Sequence, residues 1–203
     1  MKVEFYYNIH AKKTLLKFGL FAVAIVNLIS IIFIWWTNSH YYITNPADGN
    51  ILIALGRITG LLGAYTLLIQ ILLVGRTKWI EGIFGFDKLN KIHRWIGYSI
   101  LLLLIGHPLL LIIGNAIGNE VSFISQLSDF LANWKDVLKS FFALLIFGFI
   151  IVFSIAIIRH KLKYETWYFV HLATYIGLIL AFSHQVNTGD LSRGYALYYW
   201  YTL

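Results

Sequence analysis

Seven histidines occur in this 203-residue chain, and four of them sit where an imidazole is costly to keep. His93 and His107 fall within one long apolar run, His171 and His184 within another, whereas His10, His40 and His160 lie in tails or connections. Ionisable groups inside membrane segments are rare, and a lone histidine there is explained by a hydrogen bond to a neighbouring helix. Four in two runs, two per run, ask for a shared ligand. From His93 to His107 is 14 residues, about 21 Å of helix rise, and from His171 to His184 is 13, about 20 Å. If the two helices run the same way, His93 and His171 meet at one depth and His107 and His184 at another. Two imidazoles at each of two depths fit two stacked haems with bis-histidine axial ligation, each porphyrin filling an apolar gap between helices.

Zinc is the rival assignment. Zinc motifs set histidines three to five residues apart so that they converge on one ion, and none of these pairs has that spacing. The chain has no cysteine, which removes thiolate zinc, iron–sulfur clusters, covalent c-type haem and disulfides. The angular test is uneven. At about 100° per residue, His107 returns to within about 40° of His93, but His184 is left about 140° from His171. Either that span changes its twist locally, near Gly177, or its imidazoles approach from different flanks.

Three arginines accompany the histidines. Arg57 lies inside an apolar run, where an unpaired guanidinium costs several kcal/mol, so a partner is required. An outer haem propionate is the expected one, through charge-assisted hydrogen bonds. Arg76 closes the same run at its other end and Arg94 follows His93; each reads equally as a flanking charge or as a haem contact.

The elements that must position these groups are membrane helices. Hydrophobic residues make up 59% of the chain and charged residues 12%, too little polar surface for a water-facing domain of this size. A bilayer core about 30 Å thick takes about 20 apolar residues of helix to cross. Five runs qualify: 15–36, 51–74, 89–113, 137–158 and 166–183. A sixth begins at Tyr195 and stops at Leu203, too short to span, and is read as a truncated sixth helix. The expected fold is therefore all-α, an integral membrane helical bundle forming one domain over residues 1–203. The first run exceeds a secretion signal's apolar core and lacks a cleavage site, so it is read as a retained anchor.

Twelve of the sixteen Lys and Arg residues fall in alternate connections, the exceptions being Arg57, Lys135, Lys139 and Arg193. The positive-inside rule then places the N-terminus in the cytoplasm, with His93 and His171 at the inner level. The net charge of +7 is explained by these basic loops, with no call for nucleic acid. The outer connection contains one further helix signal, Val121–Trp134, on the membrane surface. Gly56 and Gly60 form a GxxxG pattern, read as close helix packing. No GxGxxG or P-loop is present.

Three segments carry a family resemblance: GRITGLLGAYTLLIQILLVGR, DKLNKIHRWIGYSILLLLIGHPLL and YETWYFVHLATYIGLILAFSH. They resemble the transmembrane domain of ferric reductases and NADPH oxidases, from about Gly56 to His184, including the 14- and 13-residue histidine spacings. The resemblance implies a six-helix bundle with two b haems, the inner held by His93 and His171 and the outer by His107 and His184. It implies electrons passing from cytosolic NAD(P)H through FAD to the inner haem and then outward to ferric iron or dioxygen. Arg57 matches the family's outer arginine, near the outer haem and acceptor region. The FAD- and NAD(P)H-binding domain usual after the sixth helix is absent from this sequence, so it is expected on a missing domain or a separate reductase subunit. A plasma-membrane oxidoreductase component is thus the leading expectation. The alternatives are a haem b subunit serving a separate partner, as in quinol-linked methionine sulfoxide repair, and a transporter using histidines as proton relays.

Overall fold

Long apolar runs with few breakers dictate long helices, and a computed structural model of the chain bears that out; it describes residues 2–75, 77–155, 160–192, 196 and 198. Helix α1 spans Lys2–Thr44, α2 Asn50–Val74, α3 Lys78–Phe84 and α4 Phe86–Gly118. Then follow α5 (Phe123–Asn133), α6 (Val137–Ser154), α7 (Tyr164–Leu172), α8 (Thr174–Asn187) and a 3₁₀ turn at Asp190–Ser192. Among the described residues there is no strand, and five segments are long and apolar enough to cross a membrane. The fifth of these comprises α7 and α8 together, Tyr164–Asn187. Arg76, and all of the expected sixth span except Ala196 and Tyr198, lie outside the described residues.

The helix ends differ from expectation for local reasons. Helix α1 extends past Trp36 to Thr44, because no breaker intervenes until Pro46, which disfavours helical backbone in the residue before it. Helix α6 runs to Ser154, where Ile155 turns to extended backbone, and positions 156–158 of the expected run lie outside the described residues. Helix α4 runs through Pro108, whose missing N–H a membrane helix tolerates when neighbours supply compensating contacts. Between α1 and α2 the chain turns at Gly49, with φ 85°, pressed against the Gly114 backbone of α4. Only glycine meets both demands, a left-handed φ and no Cβ in the contact.

Two helix pairs dominate the packing, α2 against α4 and α6 against α8, with α1 laid along α2. Helix α4 and the α7–α8 span, which carry the four histidines, are only sparsely packed on one another. Indole Trp35 donates to the Ala54 carbonyl at 2.7 Å and Tyr65 to the Ala24 carbonyl at 3.2 Å, fixing α1 to α2. A core of Ile31, Ile34, Leu61, Ala64 and Leu191 seals that side. A second core, Leu67, Ile100, Ala143 and Phe147, joins α2, α4 and α6, with Leu178 of α8 packed on it. Ile100 is midway between His93 and His107 in sequence, so this apolar plug sits at the depth between the histidine levels. Gly177 lets α8 close on α6, since a Cβ there would lie 3.0 Å from the Phe147 ring. Large apolar side chains cover the outside, Leu102 being 75% and Ile179 72% exposed, which is the surface a lipid-facing bundle requires.

Candidate functional site

The structure brings the four histidines together in the expected pairs. The ring centroids of His93 and His171 are 6.1 Å apart, and those of His107 and His184 are 6.4 Å apart. Since α4 and the fifth span run in the same direction, the pairs stack at two levels. An imidazole–metal bond of about 2 Å, plus about 1 Å from nitrogen to ring centre, puts two rings sharing one metal atom about 6 Å apart. Both separations fit that arrangement. The interplanar angles of 63° and 62° do not oppose it, because two rings on a common axis can rotate about that axis.

The fifth span breaks its helix at Ala173, four residues before the expected Gly177, which reduces the angular mismatch. Helix α7 ends at Leu172 and α8 starts at Thr174. Around the junction, Ala173 N–H bonds the Val170 carbonyl and Ile176 N–H the Ala173 carbonyl, each at 3.1 Å and each three residues back. Residues in such 3₁₀ turns advance about 120° in place of about 100°, so each closes about 20° of the mismatch of about 140°. Thr174 Oγ1 donates to the His171 carbonyl at 2.6 Å, the kind of side-chain bond that perturbs a helix locally.

Each level has its own supports. On the His107 level, the imidazole Nδ1 lies 2.7 Å from the Gly56 carbonyl. A carbonyl only accepts, so Nδ1 carries the proton and Nε2 keeps its lone pair, the tautomer a metal ligand needs. The GxxxG pair makes this approach possible: a Cβ on Gly60 would lie 2.5 Å from His107 Nδ1, and one on Gly56 2.8 Å from the Leu111 side chain. The glycines thus pack α2 on α4, as expected, and also seat the histidine. On the His93 level, Ser154 Oγ lies 3.3 Å from His171 Nδ1. Gln70 Nε2 donates to the His93 carbonyl at 2.9 Å. The Nδ1 atoms of His93 and His184 are buried without a hydrogen-bond partner among the described residues.

The partner of Arg57 is in the chain itself. Its Nε donates to Asp190 Oδ2 at 3.2 Å, its Nη2 to Asp190 Oδ1, and its Nη1 to the Asn38 carbonyl at 2.9 Å. The guanidinium also lies over the Tyr42 ring, 5.5 Å from its centroid. Sequence reasoning passed over Asp190. It is one of nine acidic residues, 133 positions from Arg57, and the only clue is that a buried arginine in so sparsely charged a chain needs an acid. Arg94 lies on the exposed side of α4.

Near Asp190 the end of α8 is tied down by the turn before α6. Asn187 Nδ2 donates to Asp136 Oδ2 at 2.6 Å, Lys135 Nζ to Asn187 Oδ1 at 3.0 Å, and Thr188 Oγ1 to the Lys135 carbonyl at 2.7 Å. These bonds fix the last turn after His184. The expected surface helix is present as α5, capped by the Ser122 hydroxyl, which accepts from Ser125 N–H at 3.2 Å.

The family model of the ferric reductase like transmembrane component matches residues 59–182, more than half of the chain. The chain belongs to this family. Comparison with curated proteins returned no match, and neither did comparison with solved structures. Within this ferric reductase-like transmembrane component, the matched segment holds His93, His107 and His171 together with Gly60, the α6 core and the Ala173 break. Arg57 and His184 lie two residues beyond its ends. The chain is a multi-pass membrane protein by both its family and its five apolar spans.

Proposed function

We propose that this ferric reductase-like domain conducts electrons across the bilayer through two b-type haems, an inner one held by His93 and His171 and an outer one by His107 and His184. The observation that carries the proposal is the two imidazole pairs, each at a separation that admits one metal atom, stacked 13 to 14 residues apart. Each pair offers two donors, and among the described residues no group of three or more His, Asp or Glu converges. Such a pair would suit a cofactor that supplies the remaining ligands of its own iron. Bound haem iron supplies one-electron redox chemistry at each depth.

The chain's own residues do the rest. The Gly56 carbonyl holds the proton of His107 on Nδ1 and aims its other nitrogen at the metal position. Ile100, Phe147 and Leu178 keep the space between the levels apolar, so that water and protons are excluded there. Arg57 has five N–H groups, three of them engaged by Asp190 and Asn38, and the other two can meet an outer propionate. Arg94, next to His93 in sequence, and Arg76, just past the end of α2 in sequence, are contacts of an inner propionate in the same reading. By the positive-inside rule, the N-terminus and the His93 level face the cytoplasmic side of the plasma membrane. A flavin domain or subunit using FAD and NAD(P)H would deliver electrons there, with ferric iron or dioxygen as acceptor outside.

A reduced-minus-oxidised visible spectrum of the purified chain, with haem quantified, tests the proposal. Two haems per chain are expected, falling to about one in His107→Ala or His184→Ala. A colourless protein, or both haems retained in those variants, would overturn it.

A further inference from the structure

Beside the His93 level, two residues with no part in the histidine spacing close on His171. Ser154, the last residue of α6, sets Oγ 3.3 Å from His171 Nδ1. Trp167, one turn before His171 on α7, donates Nε1–H to the same oxygen at 3.4 Å. The Trp167 ring also stacks on the imidazole, with centroids 5.1 Å apart and planes inclined by 28°. Serine, indole and imidazole thus form a closed triangle between α6 and α7.

We infer that Ser154 and Trp167 are positioning residues for the inner haem ligand His171, an inference that rests on the haem reading above. Donor and acceptor chemistry fixes their roles. Indole N–H only donates, so Ser154 Oγ accepts from Trp167, and its second lone pair remains for His171. An imidazole offering Nε2 to a metal carries its proton on Nδ1, and Ser154 Oγ is the acceptor in place to take it. The stacked indole sets the plane in which the ring turns, since a tilt would break both the stack and the shared bond to Ser154. The two levels are therefore supported differently. His107 leans on a backbone carbonyl that no side-chain substitution removes, whereas His171 leans on two side chains that substitution can remove one at a time.

The test uses the full chain purified from membranes, with Ser154→Ala, Ser154→Thr and Trp167→Phe. Two readouts are followed: the ferric low-spin electron paramagnetic resonance spectrum, and the rate at which each haem is lost to an apo-myoglobin scavenger. Loss of such a support weakens metal binding by about 10- to 100-fold, so Ser154→Ala should speed loss of one haem by that factor and shift its resonance alone. Ser154→Thr, which keeps the hydroxyl, should restore both readouts. Trp167→Phe, which keeps the stack but removes the N–H, should shift the same resonance. Unchanged spectra and rates in both Ser154→Ala and Trp167→Phe would overturn the inference, as would equal weakening of both haems. Absence of haem from the unsubstituted chain would overturn the reading beneath it instead.

Discussion

Cutting the contact between Arg57 and Asp190 should cost this bundle more than cutting the pair of Lys139 and Asp136, whose lysine is exposed. The Arg57 pair joins α2 to the turn after α8, and its two side chains are only 14% and 3% exposed. Asp190 accepts from both Nε and Nη2, while Asn38 takes a third N–H. Removing one partner leaves the other's charge buried, which costs about 3–5 kcal/mol, whereas replacing both by apolar groups is often close to neutral. Arg57→Met and Asp190→Leu should each be destabilising by that amount, and the double variant should recover most of the loss. At about 2–4 °C per kcal/mol for a chain of this length, each single variant loses about 6–20 °C of melting temperature. Tryptophan fluorescence during heating of the detergent-solubilised protein reads the shift. If the single variants lose under about 2 °C, or if the losses simply add in the double variant, Asp190 is not the counterion that Arg57 depends on.

Three further outcomes follow from the same geometry. Gly60→Ala places a methyl group within 2.5 Å of His107 Nδ1, so the ring must swing, and haem per chain should fall by about half while Gly63→Ala, with its nearest contact at 3.6 Å, keeps both. Asn187→Ala removes the bonds to Asp136 and Lys135 and should destabilise by about 1–2 kcal/mol, read by thermal unfolding. The hydrogen bond from Lys139 holds the Asp136 carboxyl below the usual carboxylate range. A depressed folded value means the contribution is present above the usual range, near about pH 3.9, and is lost as pH falls through the folded value. The stability difference between the natural chain and Asp136→Asn should therefore be constant from about pH 8 to 5 and shrink only below about 4; shrinkage near neutral pH would contradict the assignment.

Periodicity and spacing make the four membrane histidines legible in the amino-acid sequence. The 14-residue interval in α4 places both imidazoles on one face, and the apolar runs announce the spans that carry them. The break at Ala173 is not legible there, because Val170, Leu172 and Thr174 include neither glycine nor proline; a threonine hydroxyl bonding a carbonyl three residues back makes the change. Asp190 is hidden for another reason. Five acidic residues fall in the connections at that end (Asp48, Glu120, Asp129, Asp136 and Asp190), and only the folded chain selects the one beneath Arg57. Ser154 falls inside the expected 137–158 run and Trp167 at the start of the 166–183 run, and only the folded chain sets them against His171.

The junction at Ala173 makes the fifth span two short rods on a shared axle. Adding one residue between Thr174 and Ser183 would turn His184 by about 100° while His171 stayed where it is. Segment length here thus fixes the pairing of His184 with His107 as firmly as the identity of either residue. An evolving or engineered chain can exchange the apolar side chains along α8 far more freely than it can gain or lose a single one.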